Sequence, residues 1–413
     1  MTRLPEADPS TLFPWLLHRP LASLLVVLDS AGEEARVVGG AVRNALLGEP
    51  VVEWDIATTA LPQVVTQRCL AAGWKVVPTG IDHGTVTVVI DKHPFEVTTL
   101  REDVATDGRH ALVRFGRDFA IDALRRDFTI NALSVTRQGV VHDYAEGLAD
   151  IAARQVRFIG EADQRIAEDY LRIFRLFRFH ARYAAGPIDH DSLSACIRGR
   201  EGIERLSRER IQAEMLKLLV ARRGADVVEE IAGAGFLDQA LGGIGRLPAL
   251  RRLAGIEAEL ALEPDPIRRL AALCLFVHED ALRLIERLRL SNAQGRRLEL
   301  LAREGEVSRP APEGQALRAL LYRLKKPDAL DHLLVSWACS ADEAWREAYR
   351  IAEAATVPVL PFSGGDVARL GIAPGPAVGR IMARAERRWI EADFPDATAG
   401  KAMLAEEARA EEG

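Results

Sequence analysis

The sequence predicts an α+β fold: a small mixed-sheet head followed by an all-α remainder. Between about residues 35 and 140, β-rich runs alternate with short amphipathic helical segments. Beyond about residue 150 the β signal disappears and apolar residues recur at helical spacing. The 413 residues are too many for one compact core and enough for two to four domains.

Taken in order, "ARVVGG" reads as a strand running into a glycine turn. "AVRNALLG" reads as a helix closed by Gly48 and Pro50. "EWDIAT" is a second strand, and "LPQVVTQRCLAAG" an amphipathic helix ended by Gly73. "GTVTVVIDKHPFEVTTLR" reads as a hairpin around "DKHP". "EDVATDGRHALVRFG" is polar and predicts a loop, and "DFAIDALRRDFTINALSV" a helix passing into a strand. Thereafter "ADQRIAEDYLRIFRLFRFHARYA", "SRERIQAEMLKLLVA", "DPIRRLAALCLFV" and "ALRALLYRLKKPDALDHLLVSWAC" all carry helical periodicity. "SRPAPEG" and "ATVPVLPFSGGD" are the linker candidates. The loss of β signal near residue 150 and the Pro and Gly content near residues 310 and 360 predict boundaries there.

Charged residues make up 28% and hydrophobic residues 48%, an ordinary globular composition. The apolar run "LASLLVVL" is too short to span a bilayer, and the first twenty residues do not read as a signal peptide. Cys69, Cys196, Cys274 and Cys339 form no CxxC, which predicts neither a zinc site nor a disulfide framework and suits a reducing cytoplasm. The net charge of -6 argues against a nucleic-acid binder only if the charge is evenly spread. It is not: between Arg154 and Arg223, fourteen arginines and one lysine face ten acids.

Several residues carry chemistry in their own right. Gly39 and Gly40, between a strand and a helix, let backbone N–H groups approach a phosphate, with Arg43 one turn in. Glu53 and Asp55 alternate on a strand and so share a face, a spacing that can grip a hard cation such as Mg²⁺. Glu96 on "FEVTTL" can meet them across the sheet, and three converging acids would suit a two-metal phosphoryl-transfer site. The bland alternatives are a tight turn and a solvated acidic pair. Arg172, Arg175 and Arg178, with Glu168, lie broadly along one side of a helix, while Ile173, Phe174, Leu176 and Phe177 form the expected buried face. By itself that pattern also describes a solvated outer face laced by ion pairs. His83, His110 and His142 are scattered and read as structural.

In combination these stretches are more specific. "GG", twelve residues and then acid-hydrophobe-acid-hydrophobe resembles the signature of polymerase-beta-like nucleotidyltransferases. "GGAVRNALLG…DIATT", "RRDFTINAL", "HDYAEGLADI", "EDYLRIFR" and "ERLSRERIQAEMLKLL" occur in the order seen in the class II tRNA nucleotidyltransferase and bacterial poly(A) polymerase family. The resemblance covers roughly residues 35 to 225 and, with the signals above, implies a head (1–150), a neck (151–225), a body (226–310) and a tail (311–413). It implies that Gly40 and Arg43 contact the incoming nucleotide, that Glu53 and Asp55 sit at the positions of the two Mg²⁺ ions, and that Arg126 binds the triphosphate. Asp127 would read the ribose hydroxyl, Asp169 and Arg172 the base edge, and Arg175 and Arg178 would support that site or the phosphates. The family usually shows Asp where this chain has Glu53, and often Asp at Asn44.

The implied reaction is nucleotidyl transfer from CTP and ATP to the 3′ end of tRNA, completed as CCA, in the cytoplasm. CC-only, A-only or poly(A) addition share the same head, and a non-catalytic RNA-binding relative is the reading from a different class. The loop with Arg109, His110 and Arg114 would lie beside the site. The helical region beyond 225 would hold the acceptor stem and elbow. Tail residues Arg380, Arg384, Arg387 and Arg388 lie on either an RNA-contact helix or a packed terminal helix hairpin. No phosphohydrolase "HD" motif, membrane segment or protein partner is expected.

Overall fold

The computed structural model describes residues 9–81, 84–106, 111–304 and 310–412. The chain divides into two compact units, Met1–Phe236 and Leu237–Gly413. The changes of character read near residues 150 and 310 both fall inside a unit.

The first unit is built on β1 (Ala35–Val38), β2 (Asp55–Thr58), β3 (Lys75–Gly80), β4 (Thr85–Ile90), β5 (His93–Thr99), β8 (Ser134–Thr136) and β9 (Val141–His142). They form one mixed sheet in the order β3-β4-β5-β2-β1-β8-β9, in which β2 and β5 run parallel and the other neighbours antiparallel. Val37, Ile56, Val86, Val88, Phe95 and Val97 are fully or almost fully buried in it. Burying each such side chain contributes on the order of 1.5–3 kcal/mol. Helix α1 (Arg19–Leu28) and, after β2, the helix Pro62–Ala71 pack against the sheet. The sequence reading did not include α1 or β3.

Register places the chemistry. Val38, the last residue of β1, pairs with Asp55, the first of β2, and Asp55 pairs in turn with Glu96 on β5. Val38 also pairs with Ser134, the first residue of β8. One end of the sheet therefore gathers the Gly39–Gly40 turn, both acids and the segment that precedes β8. Helix α2 (Gly40–Leu47) starts there and ends on Gly48, whose φ of 73° suits glycine.

Two expectations need correcting. "EWDIAT" is not strand throughout: pairing begins at Asp55, leaving Glu53 and Trp54 ahead of it. Trp54 is instead stacked on His18 (5.7 Å, 21°) and Phe95 (6.0 Å, 26°). "EDVATDGRHALVRFG" is not a plain loop either. Its ends pair as the antiparallel strands β6 (Arg101–Thr106) and β7 (Ala111–Phe115), because β-branched Val104, Thr106 and Val113 and aromatic Phe115 favour extended backbone despite the polar composition. Arg109 and His110 lie outside the described residues, as does His83.

After β9 the described residues contain no further strand. Helix α3 (Leu171–Tyr183) packs on Arg208–Leu219 and Gly224–Gly233. It buries Ile173, Phe174, Leu176 and Phe177 completely, as their spacing predicted. "HDYAEGLADI" forms a cap: Asp143 accepts from the backbone N–H groups of Ala145, Gly147 and Leu148 and starts α4 (Gly147–Ala152).

The described elements of the second unit are helices. Gly314–Ser340 breaks at Lys325, two residues before Pro327, which cannot continue the hydrogen-bond ladder. The last two helices, Pro376–Glu391 and Ala397–Glu412, form a hairpin laced by ion pairs: Arg380 to Glu411, Arg384 to Glu407 and Glu411, and Arg388 to Glu406 and Glu407. Three of the four tail arginines thus serve the packed hairpin. No helix among the described residues is long and apolar enough to cross a membrane.

Candidate active site

A cleft of about 440 Å³ opens at the gathered end of the sheet. Gly39, Gly40, Arg43, Asp55, Arg125, Arg126, Asp127 and Asn131 line one side. Asp169, Leu171, Arg172, Arg175, Phe179 and Arg210 line the other. Six arginines against three aspartates give it a net positive lining, which suits a polyanion such as a triphosphate.

Gly39 is the residue that the turn requires. Its φ is 67°, and a Cβ there would lie 2.9 Å from Arg126 Nη1. Gly40 is under no such constraint; it is the first residue of α2, where orphan N–H groups and the helix dipole favour an anion. Arg126 donates to Asp122 at 3.2 Å and to the Asn131 carbonyl at 3.4 Å. Arg43 is buried, and its partners are all neutral: Asn44 Oδ1 (2.8 and 3.1 Å), Asn131 Oδ1 (2.5 Å) and the Tyr183 hydroxyl (2.8 Å). Burial pulls its guanidinium down to about 10, so it remains charged at neutral pH with no carboxylate bound to it. An anion in the cleft would supply the missing counter-charge. Asn44 also explains its own identity: its Nδ2 donates to the Pro50 carbonyl at 2.9 Å, which an aspartate cannot do.

The acids sit beside this cluster. Asp55 lines the cleft with Glu96 next to it in register, and Glu53 precedes the strand, exposed. Three acids do not converge: among the described residues no group of three or more His, Cys, Asp or Glu side chains is placed to hold one ion. The donor set is a pair with a flanking glutamate. Desolvation by the surrounding protein raises the Asp55 carboxyl although its tip reaches solvent; Glu96 raises it further, Arg126 opposes, and Glu53 adds to the rise. None of the three carboxylates has a hydrogen bond or ion pair to another described residue. Mutually repelling carboxylates without internal donors fit Mg²⁺, which takes one or two carboxylates and completes its shell with water and substrate phosphate.

Asp127 faces the cleft with its carboxylate already engaged. Oδ1 accepts from Phe128 N and Asn131 Nδ2, both at 2.9 Å. Oδ2 accepts from Arg175 Nε at 2.7 Å, with Arg175 Nη2 at 2.5 Å. Burial pushes its carboxyl up, but Arg175 and the hydrogen bonds override this and hold it below the usual range. On the opposite side of the cleft, Asp169 accepts from Leu171 N (3.1 Å) and from Arg210 Nη2 (2.6 Å). Arg172 donates through Nη1 to Glu168 (2.5 Å) and to the Arg165 carbonyl (2.8 Å). Arg178 stands back from the cleft lining, paired with buried Glu214 and lying 4.3 Å over the Phe179 ring.

Comparison with known proteins bears on this arrangement. The sequence family described as the poly A polymerase head domain matches residues 35–157. The mouse mitochondrial CCA tRNA nucleotidyltransferase 1 is 33% identical over 395 residues, spanning 92% of this chain and 88% of that protein. The chain belongs to the CCA tRNA nucleotidyltransferase family. The CCA-adding enzyme of Leuconostoc citreum (strain KM20) is 42% identical over 201 residues, 48% of this chain and 49% of that one. Among solved structures, the Bacillus stearothermophilus CCA-adding enzyme in complex with CTP aligns over 98% of this chain and 99% of its own, with a TM-score of 0.74 and 27% identity. The Thermotoga maritima CCA-adding enzyme complexed with tRNA_CCA shares the fold, with a TM-score of 0.68 at 18% identity.

Within this CCA-family cleft, Gly40, Arg43, Asp55, Arg126, Asp127, Asp169, Arg172 and Arg175 come together. Glu96 adjoins through Asp55, while Glu53 and Arg178 lie outside the lining. Sequence reasoning named Gly39 with the phosphate turn but passed over Asn131, Phe179 and Arg210. Asn131 and Arg210 lay inside quoted motifs, four residues after Asp127 and within "SRER". Nothing local marked their partners.

Proposed function

We propose that the chain completes the 3′ end of tRNA, adding C, C and A from CTP and ATP without a nucleic-acid template. The observation that carries this reading is one cleft holding a carboxylate pair, an arginine cluster and an Asp–Arg pair. Arg43, Arg126 and the start of α2 bind the triphosphate. Asp127 and Arg175 meet the ribose, one of the Asp127 donors turning to the sugar hydroxyl. Asp169 offers an acceptor and Arg172 a donor to the base edge. Cytosine and adenine both present an exocyclic amine beside a ring acceptor, which that pair matches; guanine and uracil present the opposite polarity. Arg178 acts from behind, through Glu214 and Phe179.

Glu53 and Asp55, with Glu96 beside Asp55 in register, would hold Mg²⁺, which when bound would supply Lewis-acid activation of the RNA 3′-hydroxyl and neutralise charge on the departing pyrophosphate. The protein's own part is positioning and charge compensation, with no covalent intermediate. The helical region beyond residue 225 holds the acceptor stem and elbow by shape and phosphate contact. We place the protein in the cytoplasm. Its four cysteines are free thiols, and burial raises Cys69 to about 11 and Cys274 to about 12.

The test supplies purified protein with tRNA ending before CCA, Mg²⁺ and CTP, ATP or both, and sequences the products. CCA ends are expected. Products stopping at CC, A-only addition or long A tracts would replace this reading with another activity of the same family. Bound but unextended tRNA would favour a non-catalytic RNA-binding protein.

A further inference from the structure

Asn131 sits at the floor of the cleft, 7% exposed, between charged groups of opposite sign. Its Oδ1 accepts from Arg43 and its Nδ2 donates to Asp127. The amide has one workable orientation, because an arginine only donates and a carboxylate only accepts. Its backbone carbonyl takes Arg126 as well. Through Asp127 the chain of contacts reaches Arg175 on α3, 44 residues further along (from 131 to 175).

The turn that presents Asn131 is held firmly. Thr129–Asn131 is a single 3₁₀ turn. Thr129 Oγ1 donates to buried Asp150, and Thr129 N donates to the Arg157 carbonyl at 3.2 Å. A Cβ on Gly147 would lie 2.3 Å from the Thr129 carbonyl oxygen, so α4 packs directly on the turn. A neutral side chain on a braced turn, joined to both an arginine and an aspartate of the cleft, is built to fix their spacing.

We propose that Asn131 is a positioning residue that holds Arg43 towards the triphosphate and Asp127 towards the sugar in one register, and so sets both nucleotide affinity and the choice of ribonucleotide over deoxyribonucleotide. This rests on the nucleotidyl-transfer reading above. A carboxamide of this length offers the acceptor and the donor at once. An aspartate of the same shape keeps the bond to Arg43, loses the donor, and sets a second carboxylate against Asp127. It also gives Arg43 a permanent counter-ion in competition with phosphate.

The groups facing position 131 are Arg43 on α2, Asp127 and Arg126 on its own segment, and Arg175 on α3; Tyr183, Arg178 and Arg182 of α3 act on Arg43. Two adjacent carboxylates raise the pKa of one of them. Below that pKa the shared proton restores a donor between residues 131 and 127; above it the pair repels. The defect of N131D is therefore largest in alkali and shrinks as the pH falls.

The experiment measures kcat and KM for CTP and dCTP on tRNA ending before CCA, from about pH 6 to pH 9, for wild type, N131D and N131A, with thermal melts. For N131D at the alkaline end, the expected result is a CTP KM raised ~10- to 100-fold and a CTP-over-dCTP preference reduced by a similar factor. At the acidic end the N131D defect shrinks several-fold, while that of N131A stays constant with pH. Wild-type KM and sugar preference in both variants would overturn the role. So would a defect in N131D that is independent of pH and accompanied only by a lower melting temperature. A wild-type protein that adds no nucleotide would instead refute nucleotidyl transfer itself.

Discussion

Arg175→Met removes a charge from the heart of the cleft while keeping most of the side chain's bulk. Asp127 is 8% exposed and carries two contacts from Arg175, at 2.7 and 2.5 Å. Hydrogen bonds to a charged group contribute about 1.5–3 kcal/mol each, and breaking a buried pair from one side costs about 3–5 kcal/mol. Phe128 N and Asn131 Nδ2 remain on the carboxylate, which places the expected loss near the lower end, about 3 kcal/mol. That is roughly a hundredfold in the opening equilibrium of the first unit. Hydrogen exchange of α3 amides reads this opening separately from the second unit. The pH dependence has a definite sign. Arg175 holds the Asp127 carboxyl below its ordinary value, so its contribution is complete above an unfolded pKa of about 3.9 and is lost as the pH falls through the lower folded value. The difference between R175M and wild type should begin to shrink below about pH 4 and fade as the pH falls through the lowered wild-type value, where Asp127 becomes neutral in both. D127N/R175M, with neither partner of the pair charged, should be less destabilised than R175M alone. A loss under about 1 kcal/mol, or one that acid does not reduce, would show that this pair does not tie α3 to the segment carrying Asp127.

Three further outcomes follow from the cleft. Asp55→Ala should abolish nucleotide addition while tRNA affinity stays nearly intact, whereas Glu53→Asp should leave activity equal or higher; both are read in the tRNA extension assay, and a large loss in E53D would mean that the pocket is built around the longer side chain. Arg172→Ala should blur the choice between C and A more than it weakens tRNA binding, measured as the ratio of CTP to ATP incorporation; unchanged ratios would remove Arg172 from base reading. Gly39→Ala should cost about 1–3 kcal/mol of backbone strain and displace Arg126, lowering both the melting temperature and equilibrium nucleotide affinity, and wild-type affinity would contradict the close approach of Arg126 to the turn.

Much of this protein is legible in short stretches. Strand and helix periods in "ARVVGG", "AVRNALLG" and the α3 segment depend on alternation and on every third or fourth residue being apolar, which a sequence shows directly. The β6–β7 hairpin was hidden because polar composition masked its β-favouring residues, and Glu53 was drawn into a strand because alternation alone does not say where pairing begins. The order of the motifs pointed to the family before any contact was known.

What the sequence by itself determined is the inventory: a glycine turn before a helix, Glu53 and Asp55 one residue apart, and an arginine series on one face of α3. Only the tertiary structure decided the partners. Asp55 meets Glu96 because two strands far apart in the chain pair in parallel register. Asp127 meets Arg175 across 48 residues, Asp169 meets Arg210 across 41, and Asn131 meets Arg43 across 88. The physical reason is the range of the forces. Local backbone preference and hydrophobic period act over a few residues and leave their mark in the string. Which buried charge finds which counter-charge is settled by packing, where every donor and acceptor taken out of water must find a partner.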